Sequence, residues 1–329
     1  MRHFPKLIAA LTLLASPAAA DLARAVDEHI LPGYAAFAET TAALHDAAVE
    51  SCAPDTLRAD WNAAFDAWMR VSHLRFGPVE EAGRSVIIAF WPDAKGMTPK
   101  GLSRLIAAED PIVNSPEGFK DVSVAARGLF ALEYLLYDAQ YDATAPYTCD
   151  LIRAVTADLA DIAGAVSHEW QNGYADTLRT AGAPGNGTYL TENEGLQVLF
   201  TNLVAGLEFT ANERLGRPLG TFDRPRPNRA EARRSERSLR NVDLSIKALK
   251  NLTDTLVDAP LPQSDAAFDR AIQTAAELDD PTFASVSDPS GRLKVEILQQ
   301  KVKAAEVGVL AEVGPALGVA QGFNAGDGD

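Results

Sequence analysis

Cysteine is almost absent from this chain of 329 residues, which contains only Cys52 and Cys149. Two cysteines are too few to supply the three or four ligands of a zinc site or an iron–sulfur cluster, so a metal site built from cysteine is not expected. In an oxidising compartment a pair of cysteines is typical of one disulfide. The alternative is two free buried thiols, and the spacing of the two residues does not decide between them.

Long apolar runs are also missing. After the first twenty residues no segment reaches the roughly 18 to 20 apolar residues that a membrane helix needs, so membrane insertion is not expected. The first twenty residues combine Arg2 and Lys6, an apolar stretch from Leu7 to Ala15 and three alanines ending at Ala20, which predicts a signal peptide at residues 1–20. No cysteine follows the cleavage point to carry a lipid anchor. The mature protein is therefore expected to be soluble and periplasmic or secreted.

Positive charge is scarce, because 30 lysines and arginines face 45 aspartates and glutamates and leave a formal net charge of -15. A chain of this charge repels nucleic acid and anionic lipid, so a nucleic-acid partner is not expected.

One segment, residues 214–240, departs from this balance because it contains nine arginines and no lysine. Arginine suits planar, two-pronged partners such as carboxylates and phosphates. The segment either neutralises the acidic helices from within, which is the favoured interpretation, or binds an anionic ligand.

Strand signals are weak throughout, whereas apolar residues recur at three- and four-residue spacing along most of the chain. This periodicity predicts an all-α fold. The predicted helices cover residues 22–49, 54–73, 102–108, 122–138, 151–178, 192–215, 242–258, 265–278 and 292–313.

Two irregular segments interrupt this pattern. The connection "TAGAPGNGTYLT" is rich in glycine, proline and asparagine and predicts a hinge between two helical-bundle domains packed side by side, at residues 21–187 and 188–329. The longer stretch "RFGPVEEAGRSVIIAFWPDAKGMTPKG" is expected to be a packed loop with helical turns. Loops of this length often carry function, so it is a candidate pocket wall.

Glu133 is the single acid inside the apolar helical stretch "GLFALEYLLY". A buried carboxylate must be paired, bound to a cation or held protonated, because an isolated buried charge is costly. An intramolecular contact with an arginine or a tyrosine and a role as a ligand-binding carboxylate both remain open.

Histidine provides few candidates for a site. His29, His45 and His168 are expected to lie on the surface or to pack between helices, since a lone histidine without spaced partners is a weak signal. His73, in "SHLRFGP", is better placed because it and Arg75 flank the long irregular stretch. Common catalytic motifs such as HExxH and GxSxG are absent.

Several segments together resemble the imelysin-like family, and the resemblance covers nearly all the mature chain. They are "HILPGYAAFAETTAAL", "SHLRFGP", "FWPDAKG", "RGLFALEYLLYD", "ERLGRPLG" and "RRSERSLRNVDLSIKAL". The resemblance implies an exported, all-helical bacterial protein tied to iron uptake, with peptidase activity known for the founding member. It also implies two helical bundles with the motif helix near their junction.

The family motif G-x-H-x-x-E aligns with Gly128, Phe130 and Glu133 of this sequence. The glycine and the glutamate match, but phenylalanine stands where the family has histidine. Phenylalanine can neither coordinate a metal nor transfer a proton, so the family's metallopeptidase chemistry is not expected here.

These observations favour a periplasmic binding or accessory protein of an iron-acquisition system. Other components of that system are its candidate partners. The cofactor is not identified by the sequence, although iron or another divalent metal is a candidate, held by Glu133 and His73. The alternatives are a metallopeptidase in which His73 replaces the missing histidine, and an interaction scaffold without a small ligand. The expected lining of an inter-domain pocket is Glu133, His73, Arg75, Arg84, Trp91, Asp93 and Arg237.

Overall fold

A computed structural model describes residues 21–320 of the chain, and the predicted signal peptide at residues 1–20 lies outside this range. The described residues form helices, turns and loops without a β-strand, which confirms the all-α prediction. Among them, no helix combines the length and the apolar character needed to cross a membrane.

Nine helices of ten or more residues make up most of the described part of the chain. They are α1 (Leu31–Glu50), α2 (Pro54–Val71), α3 (Met97–Ala108), α4 (Gly128–Tyr137), α5 (Pro146–Glu169), α6 (Glu192–Phe209), α7 (Ser238–Leu256), α8 (Pro262–Glu277) and α9 (Pro289–Leu317).

Several helix starts follow directly from local sequence. Helices α2, α5, α8 and α9 each begin at a proline, namely Pro54, Pro146, Pro262 and Pro289. Proline suits this position because its φ angle is already helical and the amide hydrogen that it lacks would have no partner within the helix. Asp288 adds a side-chain cap to α9 by accepting hydrogen bonds from the first amides of the helix.

The helices form two groups. Helices α1, α2, α4 and α5 pack together, α6 to α9 pack together, and α2 contacts α7 between the groups. One hydrophobic cluster nevertheless runs through both groups, with Trp61, Phe65 and Trp68 of α2 buried inside it. The domain boundary between residues 187 and 188 therefore stays a prediction.

The long irregular stretch between α2 and α3 contains two 3-10 turns, at Gly77–Val79 and Glu81–Gly83, and a short helix at Arg84–Ile88. The prediction of a packed loop with helical turns is thereby confirmed. Its backbone lies directly against the start of α4, where it forms part of the surroundings of Glu133.

Helix α4 begins later than predicted, at residue 128 instead of residue 122. Residues Val124–Ala126 form a 3-10 turn, and Arg127 has an extended backbone. Gly128 then has a φ of +69°, and a Cβ atom on it would lie 2.0 Å from the carbonyl oxygen of Ile87. The motif glycine is thus required by the close approach of two backbones.

Cys52 and Cys149 form a disulfide in the structure, with 5.4 Å between their Cα atoms. Cys52 follows the end of α1 and Cys149 lies in the first turn of α5. Because α1 and α5 pack along each other, their neighbouring ends bring the two sulfurs together. Of the two alternatives left open by the sequence, the structure contains the disulfide.

The disulfide closes a segment with a sequence separation of 97 residues, so its removal should enlarge the conformational freedom of the unfolded chain. We expect the double variant Cys52→Ala, Cys149→Ala to lose about 2 to 5 kcal/mol of unfolding free energy. Denaturation in urea measures this. A reducing agent should lower the midpoint of the wild-type protein and leave that of the double variant unchanged. Equal stability of the two proteins would contradict the prediction.

Gly128→Ala should strongly destabilise the protein, by more than about 2 kcal/mol, because the new Cβ meets backbone atoms of Ile87 and Ile88 and the left-handed φ is strained. Gly164→Ala is the matched control. Gly164 lies inside α5 with open space around its Cβ position, so the same substitution should stabilise the helix by about 0.5 to 1 kcal/mol. Thermal unfolding of both variants, compared with wild type, checks the contrast in sign.

Candidate functional site

Glu133 of α4 is 1% exposed and accepts two hydrogen bonds from Ser235, which is distant in the sequence. Its Oε1 atom accepts from the backbone amide of Ser235 at 3.0 Å and from the Ser235 hydroxyl at 2.9 Å. Burial raises the pKa of Glu133, while the hydrogen bonds from Ser235 and the charge of Arg234 act in the opposite direction. The buried acid is therefore hydrogen-bonded within the protein, and its partner is a serine, not the arginine or tyrosine of the intramolecular alternative.

Phe130 occupies the motif position one turn before Glu133 and belongs to an aromatic cluster. It is 4% exposed and packs edge-to-face on Phe65 of α2, with 5.4 Å between the ring centroids. The guanidinium of Arg237 lies 4.8 Å from the centroid of the same Phe65 ring. The position that holds a histidine in the full motif is therefore occupied here by a side chain that only packs against its neighbours.

A cavity of about 200 Å³ adjoins Glu133. Trp91 and Asp93 of the long irregular stretch form one part of its wall, and Phe130, Glu133 and Tyr134 of α4 form another. The structure therefore brings Trp91 and Asp93 together with Glu133, as the sequence predicts.

Four arginines form the third part of the wall: Arg217, Arg229, Arg233 and Arg234. Arg234 pairs with Asp138 at 2.9 Å and lies 3.6 Å from the centroid of the Tyr134 ring. Arg217 pairs with Glu213.

Arg229 and Arg233 form no ion pair with an acid in residues 21–320. Both oxygens of Asp93 are engaged, because they accept hydrogen bonds at 2.8 Å from the amides of Met97 and Thr98 at the start of α3. These bonds from neutral amides leave the charge of Asp93 in place, but the wall has four arginines against two acids, Asp93 and Glu133, and so carries an excess of positive charge.

Three other arginines of the segment pair with acids of the protein. Arg214 forms a buried ion pair with Glu231 at 2.8 Å. Arg237 and Arg240 both pair with Asp66 of α2. The neutralising interpretation therefore applies to these three arginines, and the anion-binding interpretation stays a prediction for the arginines at the cavity.

Three predicted pocket residues lie elsewhere. Arg237 is 1% exposed and held by Asp66 and by the Asn62 side chain. Arg84 forms a two-pronged ion pair with Glu169 at 2.6 and 2.8 Å. Arg75 donates to the carbonyl of Ser72. None of the three lines the cavity beside Glu133, so their assignment to it is wrong, because acids or carbonyls from other elements hold each guanidinium.

His73 was predicted to share a site with Glu133, but its ring faces His29 instead. The Nε2 atoms of the two histidines are 3.1 Å apart, and the Nδ1 atom of His29 lies 2.6 Å from the Oδ1 atom of Asn251. His73 does not line the cavity beside Glu133. The predicted metal pair of Glu133 and His73 is therefore not formed, and His29 is a buried hydrogen-bonding partner of His73.

The pKa of His73 is held well below its usual value by burial, by the neighbouring His29 and by the charges of Arg214 and Arg75. Burial also lowers the pKa of His29. The two rings therefore form a neutral pair in which one Nε2 donates and the other accepts.

The donor set at Glu133 does not fit iron or another divalent cation. Phe130 offers no donor atom, one carboxyl oxygen of Glu133 already accepts two hydrogen bonds, and the nearby arginines repel a cation. Across residues 21–320, no group of three or more histidine, cysteine, aspartate or glutamate side chains is arranged to hold a metal ion.

Sequence reasoning missed Ser235 as the partner of Glu133. Ser235 resembles the cap of a helix start in "SERSLRN", but α7 begins at Ser238 without a side-chain cap. The density of arginines left an anionic ligand open as the less favoured alternative. Nothing in the sequence marked which of the nine would face the cavity.

The Glu133→Gln variant should gain unfolding free energy relative to the wild-type protein as pH rises. Because the folded-state pKa of Glu133 is raised above its ordinary 4.5, the wild-type protein loses stability as pH rises from 4.5 through the folded pKa. Glutamine does not titrate, so the difference in unfolding free energy should grow by about 1.4 kcal/mol for each unit of pKa shift and then level off. Denaturant titrations between pH 4 and pH 8 measure this. The exposed Glu50→Gln is the control for the loss of a carboxylate at the surface.

His73→Gln should show the opposite dependence on pH. Because the folded pKa lies below 6.5, the unfolded chain binds a proton first, and the wild-type protein loses up to about 1.4 kcal/mol per pH unit below pH 6.5. The variant should therefore gain stability relative to wild type as pH falls. The same titrations test this, with the exposed His168→Gln as the control. A difference that stays constant from pH 7 to pH 5 would contradict the neutral pair.

Comparison with known proteins supports the resemblance seen in the sequence. Iron-regulated protein A from Synechococcus elongatus is 24% identical over 310 residues, which cover 85% of this chain and 81% of that protein. An imelysin-like protein from Psychrobacter arcticum has a solved structure that matches with a TM-score of 0.75 at 20% identity, covering 92% of this chain and 96% of its own.

A second solved structure is that of a protein from Parabacteroides distasonis named as an iron-regulated protein A precursor. It matches with a TM-score of 0.71 at 15% identity and covers 88% of this chain and 92% of its own. The family model described as imelysin, peptidase family M75, matches residues 30–308. The chain therefore belongs to the imelysin family.

Proposed function

We propose that this protein is an exported, periplasmic component of an iron-acquisition system that binds a small ligand in the cavity beside Glu133 and does not cleave peptides. Membership of the imelysin family and the iron-regulated names of two related proteins support the link to iron. One combination of features carries the proposal. The motif glutamate, Glu133, is present beside a cavity, whereas Phe130 stands at the position of the motif histidine.

The surroundings of Glu133 argue against hydrolysis. A catalytic zinc uses about three protein ligands and an open position for water. Glu133 has a serine as its hydrogen-bonding partner, Phe130 packs on Phe65, and His73 is engaged with His29. The substitute-histidine alternative therefore lacks the geometry that it needs.

The cavity favours a binding role over that of an interaction scaffold. A glutamate that only linked α4 to the segment before α7 would need its serine partner but no cavity beside it. The cavity instead combines aromatic walls from Trp91 and Tyr134 with arginines that have no acidic partner, which is typical of a site that holds a ligand by a few placed polar groups.

The proposal is tested with protein purified from the periplasm of its native host. We expect mass spectrometry of the native protein to show a bound small molecule that is lost from Glu133→Gln, and we expect no cleavage of casein with added zinc or iron(II). Thermal unfolding of the variant controls for its folding. Metal-dependent cleavage that Glu133→Gln abolishes would overturn the proposal, as would a native protein that carries no small molecule.

A further inference from the structure

Thr98, in the wall of the cavity beside Glu133, has a buried hydroxyl without a hydrogen-bond partner among the described residues. It lies in the first turn of α3, is 1% exposed and is part of the cavity wall. Its Oγ1 atom has no hydrogen-bond partner within the described residues. An unsatisfied buried polar group costs about 1 to 3 kcal/mol, so a bound polar group at this point would remove a penalty.

The charges around the same cavity select the sign of that group. Arg217 and Arg234 pair with Glu213 and Asp138, which do not line the cavity. Arg229 and Arg233 line it without an acidic partner in residues 21–320.

The acids of the wall do not balance these arginines. Four arginines line the cavity beside two acids, Asp93 and Glu133, and both oxygens of Asp93 already accept hydrogen bonds from backbone amides of α3. Arginine presents two parallel N–H groups that match the two oxygens of a carboxylate. The cavity is therefore suited to an anion.

The volume and the walls limit the size of the ligand. A cavity of about 200 Å³, the volume of roughly six or seven waters at about 30 Å³ each, has room for a compact molecule of roughly ten to fourteen non-hydrogen atoms. Trp91 and Tyr134 supply flat apolar surfaces, and the Arg234 guanidinium stacked on Tyr134 holds that wall in place. These features favour a compact organic acid over a long or strongly hydrated ligand.

We propose that the cavity binds a small di- or tricarboxylate, with Arg229 and Arg233 as its charged partners and the Thr98 hydroxyl as a hydrogen-bond donor. The inference rests on the proposed binding function and names the chemical class of its ligand. The anion is bound either free or as the carboxylate shell of a metal chelate, and the carboxylate chemistry is the same in both cases.

Isothermal titration of the mature full-length chain at constant ionic strength tests this with citrate, succinate, ferric citrate and inorganic phosphate. We expect saturable one-to-one binding of at least one carboxylate. Arg229→Gln and Arg233→Gln should each weaken it at least about tenfold, and Thr98→Val about five- to tenfold. Arg270→Gln removes the same charge from an exposed position on α8 and should leave the affinity unchanged. Melting temperatures equal to wild type show that each variant is folded.

The titrations distinguish a free acid from a metal chelate as the ligand, and they distinguish failure of this inference from failure of the proposed function. Tighter binding of ferric citrate than of citrate identifies the chelate as the ligand, and the reverse identifies the free acid. No carboxylate binding, tighter binding of phosphate, or an equal loss in Arg270→Gln overturns the inference. A neutral or cationic molecule found on the native protein would overturn the inference alone, whereas peptide cleavage that depends on Glu133 would overturn the proposed function itself.

Discussion

The hydrogen bonds between Glu133 and Ser235 are the contact on which the candidate site depends. They join α4, in the first group of helices, to the segment that precedes α7 in the second. Two donors on one carboxyl oxygen offset part of the cost of burying the acid. Because Arg233 and Arg234 immediately precede Ser235, the same contact sets these arginines at the cavity wall.

Phe130 changes the chemistry of this arrangement without disturbing its packing. Its ring stacks edge-to-face on Phe65, and Arg237 lies against the same ring while Asp66 neutralises its charge. An aromatic side chain thus occupies the place of a polar ligand within a well-packed cluster. The polar character of the cavity comes from arginines on the facing segment, which favour anions, and no cation-binding set remains at Glu133.

The arginines of residues 214–240 occupy two kinds of position in this acidic protein. Arg214 and Arg237 are buried and neutralise Glu231 and Asp66 inside the helical packing, where an unpaired acid would be costly. Arg229 and Arg233 face the cavity without an acid. Residues of one type, a few positions apart, therefore divide between ion pairs in the helical packing and unpaired positions at the cavity wall, according to the surface that each one meets.

The amino-acid sequence by itself determined the helices, because apolar spacing and proline at the first turn act over a few residues. It also predicted one pocket for Glu133, Trp91 and Asp93, but assigned to the same pocket four residues that lie elsewhere. It did not determine the partners of the buried polar groups. Glu133 and Ser235 are 102 residues apart and His29 and His73 are 44 apart. Such pairs depend on how distant helices pack. Only the tertiary structure decided that Glu133 bonds to a serine, that His73 bonds to a histidine, and that Arg237 forms an ion pair with Asp66.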